Sequence, residues 1–134
     1  MPPSLVPEPN SRSSLEVAER LFAAIEAGDY RTVERMWAAD VRVWHCGDPK
    51  DNRRERALKV IRWFMDVTTS RRYDVLDRQF FTGGFVQQHL LHADGVNGES
   101  IALRVCIVIK LGAGGLITRI DEYFDPADMA PLMK

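Results

Sequence analysis

The chain has 134 residues, 46% of them hydrophobic, and a formal net charge of -1 from 18 basic and 19 acidic side chains. This length and composition predict a single domain that can bury a core without disulfides or structural metals. The near-neutral charge gives no global attraction to nucleic acid or to an anionic membrane, so neither partner is expected.

The sequence carries no pattern typical of a membrane span or a secretion signal. Its longest apolar run, residues 105–109, is far shorter than the roughly 20 residues that a bilayer requires. The two cysteines, Cys46 and Cys106, lie in strand-like apolar contexts, where reduced thiols are expected in a chain of this size. We therefore expect a cytoplasmic protein.

The N-terminal residues 1–12 are rich in proline and predict a disordered leader, which leaves residues 13–134 as the domain. Ser13 stands three residues before Glu16, the capping-box spacing that marks a helix start. Gly28 is typical of the C-terminal stop. Apolar residues recur at helical intervals between these signals, at Leu15, Ala18, Leu21, Phe22 and Ile25.

A short second helix and the first strand follow. Asp29 is suited to cap the helix. Residues 40–46 then alternate as a strand does, which places His45 on the same face as Val41 and Val43. The next turn signal, Gly-Asp-Pro at residues 47–49, ends this strand.

A third helix is predicted where Asn52 and Glu55 repeat the capping-box spacing. Its basic residues lie mainly away from the apolar stripe, which is typical of a solvated face. The stripe consists of Ala57, Leu58, Ile61, Phe64 and Met65.

The remainder of the chain has the period of β-strands. Four segments alternate, at residues 73–82, 85–93, 100–111 and 116–124. Glycine-rich turns join them, so successive strands must be antiparallel. Helices followed by a meander predict an α+β fold with the helices on one face of a curved sheet.

The last of these strands mixes apolar residues with carboxylates. Alternation predicts that one face carries Thr118, Ile120, Glu122 and Phe124. The other face then carries Ile117 and Tyr123, and Tyr123 would serve the outer surface or a dimer contact. An acid between apolar neighbours has a raised pKa and is suited to proton transfer. The alternative is a structurally paired glutamate.

Acid/base chemistry needs a second group, and His45 at the end of the first strand is the best candidate, followed by His89. The alternative for His45 is a histidine that is hydrogen-bonded at a strand end, and the alternative for His89 is an exposed histidine on the sheet face. His89 and His92 point to opposite faces of a strand, and Cys106 lacks any nucleophile signature and is typical of a small core residue. We expect no metal and no cofactor.

Three segments carry a resemblance to a known family: residues 21–29 (LFAAIEAGD), 37–45 (WAADVRVWH) and 116–125 (LITRIDEYFD). Their order and spacing resemble the SnoaL-like branch of the nuclear-transport-factor-2-like superfamily, which includes ketosteroid isomerases, limonene epoxide hydrolases, scytalone dehydratases and SnoaL polyketide cyclases. The resemblance implies a cystatin-like α+β cone, that is, a cone-shaped barrel of strongly bent, mainly antiparallel sheet closed by three N-terminal helices. It also implies a deep apolar pocket and a homodimer.

The resemblance implies roles for several residues. His45 matches the catalytic aspartate of the isomerases, and Glu122 matches a catalytic aspartate of the epoxide hydrolases. His89 falls at or next to the hydrolase arginine, and the face it takes stays open. Leu21 stands where the isomerases have their oxyanion tyrosine, and a second hydrolase aspartate is also missing, so neither known set is complete.

These observations predict a cofactor-independent enzyme that moves a proton on a small hydrophobic molecule, with Glu122 and His45 as acid and base and His89 as their partner. The reaction stays open between isomerase, dehydratase, cyclase and epoxide hydrolase types. A non-catalytic pocket for a hydrophobic ligand, or a dimerising accessory protein, is the alternative. The expected pocket walls are Trp44, Trp63, Phe64, Cys106, Ile120 and Phe124.

Overall fold

The computed structural model describes residues 9–134, with side chains from Ser14 onward. The α-helices are α1 (Pro9–Ala27), α2 (Tyr30–Met36) and α3 (Arg54–Val67). The strands are β1 (Trp37–His45), β2 (Asn52–Arg53), β3 (Thr68–Phe81), β4 (Gly84–Gly95), β5 (Ser100–Leu111) and β6 (Ile117–Tyr123). Two 3-10 segments complete the chain, Ala113–Gly115 and Pro126–Met133.

The strands form one six-stranded sheet in the order β2-β1-β6-β5-β4-β3. The predicted meander is confirmed, because β3, β4, β5 and β6 pair in succession and all antiparallel. β1 joins the other side of β6 in parallel, which makes the sheet mixed. The fold is α+β as expected. Among the described strands β2 and β3 remain edges, so the sheet is a curled cone and not a closed barrel.

Two of the three predicted helix starts need correction. α1 begins at Pro9, ahead of the predicted start at Ser13, and the rest of the predicted leader, residues 1–8, lies outside the described residues. α2 begins as predicted, with the Asp29 carboxylate accepting a hydrogen bond from the Thr32 amide at 3.2 Å.

The predicted capping box at Asn52 is wrong. Asn52 lies in β2, and its side-chain amide donates to the Val43 carbonyl and the Asp48 carboxylate, at 3.1 and 2.8 Å. The Asn52 side chain therefore stabilises the turn after β1. Helix α3 begins at Arg54.

A β-bulge at the start of β6 corrects the predicted alternation. Lys110 of β5 pairs with Arg119, but Leu111 pairs with Ile117, so Thr118 is an extra residue in β6. Ile117 and Ile120 are consequently both buried against the core, although they were predicted to take opposite faces. Gly112 leaves room for the bulge, since a Cβ added there would lie 2.6 Å from Thr118 Cγ2.

Arg71 of β3 connects the C-terminal ends of two helices. Its guanidinium donates to the Ile25 carbonyl of α1 at 2.8 Å and to the Thr68 carbonyl after α3 at 3.2 Å. The Thr68 hydroxyl in turn donates to the Phe64 carbonyl of α3 at 2.7 Å. A cation at helix C-termini satisfies carbonyls that have no partner within the helix and interacts favourably with the helix dipoles.

The helices pack on the inner face of the sheet, and the core lies between them. Its centre is formed by fully buried residues of the sheet and of α1 and α2, namely Ala18, Val33, Val41, Phe85, Ile109 and Ile117. No helix in the described part of the chain is both long enough and apolar enough to cross a bilayer.

The Arg71→Met variant tests the connection between the helices. We expect it to lower the free energy of unfolding by about 2–4 kcal/mol, because several helix-end carbonyls lose a charged donor. The neighbouring Arg72 has a side chain that is 62% exposed and pairs with Asp74 at the surface. Arg72→Met should therefore cost less than about 1 kcal/mol. Urea denaturation of both variants measures the difference, and equal losses would contradict the role assigned to Arg71.

Candidate active site

A cavity of about 320 Å³ lies between α1, α3 and the inner face of the sheet. Two of the predicted catalytic residues, His45 of β1 and Glu122 of β6, lie in its wall. Two methionines of the C-terminal 3-10 segment, Met129 and Met133, line it as well. Four of the predicted wall residues also line it, Trp63, Phe64, Ile120 and Phe124. Apart from a few polar groups the lining is apolar, which is typical of small-molecule sites.

The other two predicted wall residues, Trp44 and Cys106, point away from the cavity. Trp44 follows the inward-facing Val43 and packs on Tyr123 across the outer face of the sheet, with 5.2 Å between ring centroids. Cys106 lies between the buried Val105 and Ile107 and is paired in register with Tyr123. Because successive strand residues alternate between faces, both predictions were wrong. Tyr123 does lie on the outer face, as expected.

The parallel pairing of β1 with β6 brings the acid and the imidazole together. His45 and Glu122 are register partners, so their side chains leave the sheet side by side on its inner face. The Cys46 amide continues this ladder by donating to the Glu122 carbonyl at 3.0 Å. His45 Nε2 lies 3.5 Å from Glu122 Oε1, slightly beyond ordinary hydrogen-bonding distance.

Asp48 orients the imidazole, and sequence reasoning missed it. Its Oδ2 accepts from the His45 amide at 2.9 Å and lies 3.1 Å from His45 Nδ1. A carboxylate can only accept, so Nδ1 carries the proton, and in the neutral ring the lone pair of Nε2 faces Glu122. Burial opposes ionisation of Asp48, but the bonds from His45 and Asn52 outweigh it and lower the Asp48 pKa.

Glu122 has an environment that favours its acid form. Burial raises the pKa of this carboxyl, and a positive charge on His45 would act in the opposite direction. The side chains of Glu122 and His45 keep 23% and 21% of their exposure, which opens on the cavity that both line. A carboxyl whose raised pKa favours the acid form and the Nε2 atom of His45 thus stand next to each other in a mostly apolar space, which is an arrangement suited to general acid/base catalysis.

His89 faces inward and is fully buried, which settles the face left open by the sequence and also overturns the exposed alternative. It lies beside the rings of Phe22 and Tyr73 instead of reaching the cavity wall as a predicted catalytic residue would. Arg78 Nε donates to Gln87 Oε1 at 2.7 Å, so the Gln87 amide nitrogen, 2.9 Å from His89 Nδ1, is the donor of that contact. His89 therefore carries its proton on Nε2, which is buried and has no hydrogen-bond partner among the described residues.

Burial, and secondarily the charge of Arg78, lowers the pKa of His89 to about 4. His89 is accordingly neutral near pH 7, and its contacts suit it to support Tyr73.

Tyr73 of β3 is a further cavity residue that sequence reasoning missed. It is paired in register with Leu91 of β4, which lines the cavity as well. A period-two count from Thr68, the first residue of β3, would have missed it, because a β-bulge between Thr68 and Ser70 changes the alternation before Tyr73 is reached. The sequence also does not show which face of that edge strand is covered. Among the described residues, no three His, Cys, Asp or Glu side chains converge in a way that could hold a metal ion.

The SnoaL-like domain family matches residues 18–120, most of the chain. The chain belongs to this family. A search of curated protein sequences finds no significant match.

Solved structures show the same fold as this SnoaL-like domain. An LEH-like epoxide hydrolase from M. tuberculosis superposes with a TM-score of 0.74 at 17% identity, covering 90% of this chain and 89% of the other. A candidate SnoaL-like polyketide cyclase from Jannaschia sp. CCS1 has a TM-score of 0.78 at 13% identity, covering 96% and 97%. An NTF2-like protein of unknown function from Burkholderia pseudomallei K96243 has a TM-score of 0.75 at 19% identity, covering 91% and 98%.

Stability as a function of pH tests the environment of His89. Since its folded pKa of about 4 lies below the ordinary 6.5, the neutral ring stabilises the fold fully above pH 6.5. This contribution, about 3 kcal/mol, should be lost as the pH falls from 6.5 to about 4. Chemical denaturation at pH 7 and pH 4 should show a correspondingly smaller pH effect in His89→Gln.

His92→Gln is the matched control, because His92 lies on the outer face beside Asp74, at 3.0 Å. It should keep the part of the pH effect that comes from His89. A His89→Gln variant as sensitive to pH as the wild type would contradict the lowered pKa.

Proposed function

We propose that this SnoaL-like protein is a cofactor-independent acid/base enzyme that acts on a small, largely apolar substrate in the cavity. The observation that carries the proposal is the pair of His45 Nε2 and Glu122 Oε1, 3.5 Å apart on the wall of a cavity of about 320 Å³. Such a volume lies at the lower end of the range for small-molecule sites, which favours a compact substrate.

The geometry suggests a different role for each of the two side chains, His45 and Glu122. His45 offers a lone pair at Nε2 and takes a proton from the substrate, and Asp48 stabilises the imidazolium through Nδ1–H. Glu122, in its acid form, gives a proton to another atom of the substrate. The proton on His45 then passes to the Glu122 carboxylate across the 3.5 Å contact, which restores both groups. No electrons change hands in this cycle, so it needs no redox partner.

This chemistry fits isomerase, dehydratase, cyclase and epoxide hydrolase reactions. The epoxide hydrolase and the candidate cyclase with the same fold support this range, but one fold hosts many reactions, so the proposal rests on the site. Trp63, Phe64, Ile120 and Phe124 would hold the apolar part of the substrate. We further propose a cytoplasmic homodimer, for which Tyr123, 46% exposed on the outer face, offers aromatic contact surface.

A non-catalytic binder of hydrophobic ligands is the second candidate. It is favoured by Met129 and Met133 in the cavity wall, because flexible thioether side chains adapt to ligands of different shapes. In that case the pair of His45 and Glu122 would be a structural contact.

Glu122→Gln separates the two candidates. The amide keeps the shape of the side chain but has no acid proton to give, so we expect kcat/KM to fall by about 10²–10⁴ while ligand affinity is kept. Turnover is measured on a panel of epoxides, enones and enolisable polyketide-like ketones, and affinity by calorimetry. Glu16→Gln, on the exposed side of α1, is the matched control and should behave as the wild type.

One outcome would favour the binder, namely a wild-type protein that binds members of the panel but turns over none of them. A Glu122→Gln variant whose turnover equals that of the wild type would instead contradict the catalytic role proposed for Glu122.

A further inference from the structure

Tyr73 is fixed in the cavity wall by two rings. Phe22 of α1 meets it edge-on with 4.9 Å between centroids and 60° between planes. His89 meets it from β4, also at 4.9 Å and almost perpendicular, at 88°. The tautomer of His89 is in turn held by Gln87 and Arg78. A ring packed in this way keeps one orientation, so its hydroxyl stays in one place.

The hydroxyl of Tyr73 has no hydrogen-bond partner among the described side chains, residues 14–134, although tyrosine hydroxyls away from bulk solvent usually find one. This hydroxyl is not one of the fully buried, unpartnered polar atoms of the described core, and Tyr73 lines the cavity. We infer that the hydroxyl is accessible from the cavity. The proposed acid, Glu122, lines the same cavity.

We propose that the Tyr73 hydroxyl donates a hydrogen bond to an uncharged oxygen of the substrate, and that the substrate is a compact apolar ketone or epoxide. This inference rests on the proposed function and deepens it. A carbonyl or epoxide oxygen is a pure acceptor, so it matches a hydroxyl that has a proton to give and no protein acceptor.

The phenol keeps its proton under these conditions. Burial, then Glu122 and then Glu26, raises the Tyr73 pKa well above its ordinary value, with Arg71 acting in the opposite direction. Tyr73 is accordingly a donor and not a base. As His45 removes a proton from the substrate, negative charge develops on the substrate oxygen, and a donor already aimed at that oxygen binds more strongly.

A matched ligand pair tests this without any turnover. Menthone and p-menthane share one carbon skeleton and differ by the carbonyl oxygen. The wild type should bind menthone more tightly, and Tyr73→Phe should weaken menthone binding about tenfold while changing p-menthane binding less than about twofold. Affinities are read from the change in tryptophan fluorescence, since Trp37 and Trp63 both lie in the cavity wall. Tyr30→Phe is the control, since Tyr30 lies under Arg62 outside the cavity and should leave both affinities unchanged.

Three outcomes would overturn the proposal. The first is an equal loss of affinity for both ligands in Tyr73→Phe, which would indicate a disturbed cavity. The second is unchanged menthone binding in that variant. The third is a wild-type protein that does not prefer menthone or binds neither ligand. Failure of the proposed function would look different: Glu122→Gln would leave turnover unaffected while the response of menthone binding to Tyr73→Phe persisted.

Discussion

The parallel pairing of β1 with β6 is the constraint on which the candidate site depends. The other long strands of the sheet pair with strands that are their neighbours in sequence, and those pairings are antiparallel. The pairing of β1 with β6 is parallel and joins the first strand of the domain to the last. Its register puts His45 beside Glu122 on one face. The turn after β1 then brings Asp48 back to the imidazole. The positions of the proposed acid, the proposed base and the carboxylate that orients the imidazole thus depend on one pairing.

Two groups with shifted pKa values also lower the stability of the fold when they ionise. A glutamic acid with a raised pKa and a neutral buried histidine both disfavour their charged forms, which costs the fold free energy whenever they ionise. The rest of the domain offsets this cost with a continuous apolar core and with the Arg71 bonds that hold the ends of α1 and α3.

The sequence was sufficient for the parts of the fold that depend on local periodicity. Helical spacing located the helices, and period two located the meander and the inward-facing Glu122. The same alternation, applied consistently, would have placed Trp44 and Cys106 on the outer face, because each directly neighbours an inward-facing residue. The sequence therefore does contain the signal that places Trp44 and Cys106 outside the cavity.

Other features could not be read from the sequence because they depend on contacts between distant segments. Asp48 looked like part of a turn, and its bond to His45 appears only when the turn has folded back. Tyr73 becomes a cavity residue only because α1 covers that end of β3 and β4. The extra residue Thr118 is visible only in the pairing with β5.

That extra residue also has an evolutionary consequence. The inward positions of β6 beyond Thr118 are Ile120 and Glu122, and the outward ones are Asp121 and Tyr123. Lys110 and Leu111 are adjacent in β5, whereas Thr118 separates their partners Arg119 and Ile117 in β6. Loss of the Thr118 codon, with the start of the strand held in place, would therefore remove the bulge and leave Ile120 and Glu122 on the inward face. At this point of β6 the chain can thus change in length by one residue without changing which side chains enter the cavity.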